Sequence, residues 1–238
     1  MSSSHRSISR ALFACLIALL VLATRARAQK NEDFGIWIGG LVTGKLPRPL
    51  NDSTGRWRFW LDGQYRLGDD ASKFAQGIIR PGVGYALSGA WTAWLGYAWI
   101  QTNPPYASVT TYEQRLWEQA SWATRFGPTR FSSRTRLEER FVSTGPGTGW
   151  RLRELVKLSI PLPSIWSAVV YDEFFFNLNS TSWGQNAGSD RNRFFIGPGL
   201  ALGKHSSVEI GYLRQTVYRS NSPDKLDNVL AVNAFWTY

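Results

Sequence analysis

Charge at every second position marks one stretch of this chain. Arg134, Arg136, Glu138 and Arg140 alternate with Thr135, Leu137, Glu139 and Phe141. Further groups of the same kind follow or precede it: Glu113 with Arg115, Arg151 with Arg153, Glu173, and Arg191 with Arg193. Guanidinium forks offer two parallel N–H donors, which suit a carboxylate or an oxyanion. Two chemistries are therefore open to this set. Arginines and carboxylates can pair into an ionic plug, or an excess of arginine can bind or pass an anion.

Other chemistry is poorly provided for. The single cysteine, Cys15, lies in the N-terminal apolar stretch, and only His205 remains beyond that stretch, beside Lys204 in a turn. A histidine-activated serine is disfavoured in such a place. Asp172 and Glu173 are consecutive, so on a strand they face opposite sides and cannot act across one bond. Asp69-Asp70 reads as a solvated turn that could hold a cation only weakly. Gly82-Val83-Gly84 and Gly197-Pro198-Gly199 are followed by no helix, so they are not nucleotide loops. Glycine at alternate strand positions instead makes room for side chains or for a bend. No metal or cofactor is expected.

The elements that must position these charges are strands. Trp57, Phe59, Leu61 and Tyr65 alternate with Arg58, Asp62, Gln64 and Arg66, a period of two. Trp91, Ala93, Leu95, Tyr97 and Trp99 make a greasy face with a tryptophan at each end. Aromatic residues bracketing an aliphatic band match the girdles of a membrane barrel. So does the content of 12 Trp, 13 Phe and 9 Tyr. The same parity assigns Tyr85, Trp122, Trp236 and Tyr238 to such girdles. Leu230, Val232, Ala234, Trp236 and Tyr238 continue the alternation to a terminal aromatic residue, the pattern of an outer-membrane insertion signal strand. Mean hydropathy is −0.24, and no apolar run approaches the ~18 residues that a spanning helix needs.

The first 28 residues read as a cleaved secretory signal peptide: Arg6 and Arg10, an apolar run over Ala11–Ala23, and a small-residue site at Ala26-Arg27-Ala28. This implies export through the Sec pathway and one domain over residues 29–238. Without the signal, four of the 27 basic residues are lost, leaving 23 against 17 acidic ones and a net charge of +6. An exported, moderately basic chain has little access to nucleic acid. Outer-membrane lipid and lipopolysaccharide, the barrel-assembly machinery and a small anionic solute are the expected partners.

Strand candidates are Phe34–Thr43, Trp57–Leu67, Phe74–Leu87, Trp91–Gln101, Tyr112–Phe126, Phe131–Val142, Trp150–Leu162, Trp166–Asn177, Arg191–Leu202, Ser207–Tyr218 and the terminal strand. Tight turns at 89–90, 127–129, 163–165 and 203–205 alternate with longer polar loops at 102–109, 143–149, 178–189 and 219–223. Short periplasmic turns and long external loops are the outer-membrane rule. Eleven segments conflict with the even strand number of bacterial barrels. Either a strand is missed before Phe34 or within Gly44–Arg56, or one segment stays out of the membrane. The expectation is an all-β, antiparallel transmembrane β-barrel of ten to twelve strands.

Lipid-facing charge is costly, so the charged groups should face the lumen. Glu118 and Glu139 have the opposite parity and should point outward unless a bulge shifts the register. Glu113, Arg115, Arg140, Arg151, Arg153, Glu173, Arg191 and Arg193 lie near the external strand ends and should meet in the outer half of the lumen.

Arg134-x-Arg136-x-Glu138-x-Arg140, Trp150-Arg151-Leu152-Arg153, Tyr171-Asp172-Glu173-Phe174-Phe175-Phe176-Asn177, Asn192-Arg193-Phe194-Phe195-Ile196-Gly197 and Glu209-Ile210-Gly211-Tyr212 occur in this order. The set resembles the domain-of-unknown-function family twenty-four-ninety, best from about Glu113 onward. Two departures stand out: Arg191 where glutamine is expected, and the length of Gly44–Arg56. The resemblance implies an outer-membrane barrel and carries no activity and no catalytic residues. The functional expectation is a non-enzymatic barrel, structural or a narrow anion-preferring conduit. The alternative is a lipid- or polysaccharide-modifying outer-membrane enzyme.

Overall fold

Period-two alternation makes each segment a strand with one apolar face, and such strands have no edge only if the sheet closes on itself. The computed structural model describes residues 32–47, 55–220 and 222–238; the proposed signal peptide and Cys15 lie outside them. Within them, eleven strands form one closed barrel. They are β1 Glu32–Lys45, β2 Trp57–Gly68, β3 Lys73–Ala86, β4 Trp91–Thr102, β5 Thr111–Phe126 and β6 Thr129–Val142. Then come β7 Gly149–Pro161, β8 Trp166–Asn177, β9 Gly188–Ala201, β10 Ser206–Val217 and β11 Lys225–Thr237.

Each strand pairs antiparallel with its successor. After ten reversals β11 runs in the same direction as β1, its neighbour at the seam. The odd count is thus real, and it replaces both explanations offered for it: all eleven segments are in the barrel. Closure is parallel. The Tyr238 amide donates to the Thr43 carbonyl at 2.9 Å, and the Lys45 amide donates to the Tyr238 carbonyl at 3.2 Å. That alternation of bonds around a single residue is the parallel pattern. Gly39 belongs to this seam, since a Cβ there would meet the Asn233 carboxamide oxygen at 2.6 Å.

The long loops 103–110, 143–148 and 178–187, with residues 218–220 and 222–224, gather at one end with the tight β2–β3 turn; the short turns 87–90, 127–128, 162–165 and 202–205 lie at the other. By the loop-length rule the first is the external end. In the β2–β3 turn Asp69, Asp70 and Ala71 have positive φ, and the amides of Asp69 and Asp70 donate to the Asp33 carboxylate at 3.1 Å each. This turn therefore binds a carboxylate of its own chain. Lys73 beside Asp69 holds that exposed carboxyl below its usual range.

The outer face is apolar around β1–β4, where Ile38, Leu61, Tyr65, Ile79, Val83, Leu95 and Trp99 are exposed to the lipid side. Trp91 stacks on Trp122 with centroids 6.1 Å apart, and Trp99 on Tyr112 at the same spacing, near opposite strand ends. Around β5–β9 the same face is also apolar, with Leu116, Leu152, Phe174 and Ile196 exposed, but polar groups stand among them. No register shift interrupts the β5–β6 pairing, so Glu118 and Glu139 do point outward. Glu154 accepts from Ser133 at 2.7 Å and from Thr135, and Asp172 accepts from Asn192. Glu118 sits between Leu95 and Leu137 on the neighbouring strands. A carboxylate there opposes the lipid, so Glu118→Leu should stabilise the barrel by roughly 1 kcal/mol, less than the cost of a basic residue at mid-bilayer. Urea unfolding in lipid vesicles measures this; a destabilised variant would mean that Glu118 does not face hydrocarbon.

Candidate functional site: a charged partition between two lumenal cavities

Inward-pointing positions of β5–β9 carry the ionic residues because their outward positions carry the apolar ones. Glu138, on β6, is fully buried at the centre. Its Oε1 accepts from Arg153 Nη1 at 2.6 Å, and its Oε2 accepts from Arg151 Nη2 at 2.6 Å and from Arg115 Nη1 at 3.4 Å. One carboxylate therefore ties β5, β6 and β7 together. Each of those arginines has a second acid: Glu113 for Arg115 at 2.6 Å, Asp190 for Arg151 at 3.0 Å, and Glu173 for Arg153 at 2.6 Å. Glu113 also takes Arg140 at 2.6 Å, and Glu173 takes Arg134 at 2.5 Å with Arg193 at 3.6 Å.

Cavities lie on both sides of this network. The outer, of about 330 Å³, is lined by Arg66, Arg80, Arg115, Arg140, Arg151, Arg153, Arg191, Arg193, Arg219 and Lys225, against Glu113 and Asp227 as the acids. The inner, of about 420 Å³, has Arg134, Lys157, Glu173 and Glu209 among its walls. Arg66, Arg80, Arg153 and Arg193 line both, so they form the partition. Two external loops fold over the outer cavity. Trp183 lies against Arg140, with 5.1 Å from Cζ to the ring, and Gln185 accepts from Arg140 at 2.9 Å. Tyr106 accepts the Trp37 indole N–H at 2.8 Å, and burial pushes its phenol up to about 12. It is therefore a neutral hydroxyl at any ordinary pH.

Of the residues singled out from the sequence, Glu113, Arg115, Arg134, Glu138, Arg140, Arg151, Arg153, Glu173 and Arg193 share this one network. Arg191 joins it through Asp190. Glu173 does not line the outer cavity, as its position on β8 had implied; it lines the inner one. Arg136 is also apart from the acids. It is fully buried, bonded to Gln119 Oε1 at 2.6 and 2.9 Å, and stacked on Trp117 at 4.3 Å. The strand Leu230, Val232, Ala234, Trp236 and Tyr238 faces outward at the seam, away from these charges. His205 lies at the periplasmic turn, its Nδ1 2.8 Å from the Thr237 carbonyl.

Sequence reasoning missed several members. Asp190 is the extra residue of a bulge: Phe175 pairs with Arg191 and Phe176 with Ser189. Asp62 and Arg80 form a buried pair at 2.6 Å; Asp62 had the right parity, but Arg80 is hidden in Ile78-Ile79-Arg80-Pro81. Trp37, Trp60 and Trp117 were not assigned to the lumen, yet all three are buried there. The one usable signal was their parity, shared with Gly39, Asp62 and Gln119.

A closed, lipid-faced, up-and-down barrel with an ion-paired lumen defines an outer-membrane β-barrel protein. Residues 34–226 match the model of the family described as Protein of unknown function (DUF2490), and the chain belongs to that family. An uncharacterized protein of Methylorubrum extorquens is 37% identical over 97% of this chain and 98% of its own. Among solved structures, the anion-selective porin from Comamonas acidovorans has a TM-score of 0.37 at 13% identity, over 75% of this chain and 55% of that one. LpxR from Salmonella typhimurium has a TM-score of 0.42 at 7% identity, over 81% of this chain and 85% of that one.

Proposed function

We propose that this barrel is a non-enzymatic, narrow anion-preferring conduit whose lumen is constricted by the arginine–carboxylate partition. The observation that carries this reading is the wall of the outer cavity, where basic residues far outnumber Glu113 and Asp227. Low-dielectric walls focus that potential and concentrate anions at the entrance. Eight strands leave room only for side chains, and sixteen leave a channel. Eleven strands with long arginines leave two small cavities and a barrier. Modifying lipid or polysaccharide is less well supported, because both oxygens of Glu138 and Oε1 of Glu173 are taken by guanidinium donors, and Glu173 Oε2 faces Arg193 at 3.6 Å, whereas a general base needs an oxygen free to take a proton. Its partners in this reading are the outer-membrane lipid and lipopolysaccharide around it, the barrel-assembly machinery during insertion, and a small anionic solute. Export by the Sec route is part of the same reading and is supported by the N-terminal sequence alone.

Ionic conductance of residues 29–238 in a planar bilayer tests the proposal. Discrete steps with anion preference are expected, and neutralising both Arg151 and Arg153 to glutamine should bring anion and cation permeability close to equal. Cation-preferring or unselective steps from the unaltered protein would overturn the reading, as would silence from protein shown to be inserted.

A further inference from the structure

The four arginines of the partition are not equivalent. Arg153 is committed to Glu138 and Glu173, and Arg80 to Asp62. Arg66 is held differently. Its Nη1 donates to Gln76 Oε1 at 2.8 Å and its Nη2 to Gln64 Oε1. Its Cζ lies 4.0 Å from the centre of the Trp37 ring, and among the described residues no carboxylate comes within ion-pair distance. Its Nε has no partner, though the residue is 5% exposed. Arg193 approaches the same indole, with Cζ 5.0 Å from its centre. Its Nε donates to Gln215 Oε1 at 2.8 Å. Its acid contact, Glu173 at 3.6 Å, is a carboxylate already shared with Arg134 and Arg153.

Two cations are thus set against one aromatic ring by glutamine oxygens, at the junction of both cavities. Around Glu138 the arginines are matched by carboxylates. Arg136 is held by Gln119 against Trp117 but lines neither cavity. Within the partition, only Arg66 and Arg193 combine glutamine anchoring with access to a cavity. Glutamine fixes a guanidinium without cancelling its charge. Burying a charge that way is costly unless something neutralises it, and the neutralising group has access from either cavity. We propose that Arg66 and Arg193, oriented by Trp37, Gln64, Gln76 and Gln215, hold a small oxyanion (carboxylate, sulfate or phosphate) at the midpoint of the lumen. This deepens the conduit reading and rests on it for its purpose, since the site would be where a solute pauses between the cavities. Two guanidinium forks favour an anion with several acceptor oxygens over a halide.

The test is binding of inorganic phosphate to the refolded protein in detergent, with chloride exchanged for phosphate at constant ionic strength. Thermal unfolding and intrinsic tryptophan fluorescence are the readouts. Saturable stabilisation is expected, with Arg66→Gln weakening the apparent affinity about tenfold or more, the worth of a charge-assisted bond. Arg136→Gln removes another buried arginine that has no acid partner but lines neither cavity, and it should leave the affinity unchanged. If Arg66→Gln does not fold, Arg193→Lys keeps the charge, removes the fork and should also weaken binding. Equal affinity in these variants, equal effects of chloride and phosphate, or no saturation in the unaltered protein would each overturn the site. Phosphate binding without conductance would sink the conduit and leave the site standing; selective conductance without phosphate binding would do the reverse.

Discussion

Glu138→Gln should lower the unfolding free energy of the refolded barrel by about 3 kcal/mol, the lower end for breaking a buried ion pair by removing one partner. Glu138 is fully buried and serves Arg115, Arg151 and Arg153. Glutamine keeps one acceptor oxygen but none of the charge, leaving three guanidiniums around a neutral group. Each retains Glu113, Asp190 or Glu173, which is why the loss is not larger. The measurement is urea-induced unfolding in vesicles, followed by tryptophan fluorescence. Its control is Arg153→Gln in the same background. If the damage comes from uncompensated positive charge, removing Arg153 as well should recover at least ~1 kcal/mol relative to additivity, since residues in one ionic network couple at that scale. Strictly additive losses would show that Glu138 acts through packing alone.

How far that network could be read from the residues depends on the strand. On β6 the parity is clean, because Phe131, Leu137 and Phe141 fix the lipid side and leave Arg134, Arg136, Glu138 and Arg140 facing inward. Knowing the face does not give the partners. Arg134–Glu173 and Lys157–Glu209 join strands that are not neighbours, and such pairings depend on side-chain reach across the lumen. Asp190 was invisible for another reason: a regular strand puts it opposite Arg191, and only the bulge brings both to one carboxylate–guanidinium contact. The strand count was legible and the closure was not. The even-number rule argued against eleven strands, whereas the weakly patterned β1, with Gly39, Gly40 and Gly44, accepts a parallel neighbour.

Trp117 was obscured by its flanks, since Gln114 and Glu118 put polar groups on the lipid side of β5 and weakened the alternation. It is the lumenal residue whose truncation should cost most. Its ring is fully buried, its N–H donates to the Tyr97 carbonyl at 3.0 Å, and it meets Trp60 edge-on at 6.1 Å. Gly82 and Gly96 on β3 and β4 supply the floor: a Cβ at Gly82 would stand 2.6 Å from the indole. Trp117→Ala should therefore destabilise the barrel by about 3–5 kcal/mol, the range for large aromatic truncations. It also strips Arg136 of its closest aromatic face. A cycle with Gly82→Ala separates packing from folding failure. Alone, Gly82→Ala overfills the floor and should cost about 1–3 kcal/mol. Beside Trp117→Ala the added methyl meets mainly the Leu95 carbonyl at 3.1 Å, so most of that cost should vanish. Denaturant midpoints of the four proteins give the coupling directly. A Gly82→Ala penalty that persists without the indole would place the strain in the backbone, and the glycine floor would then serve the curvature of the barrel wall.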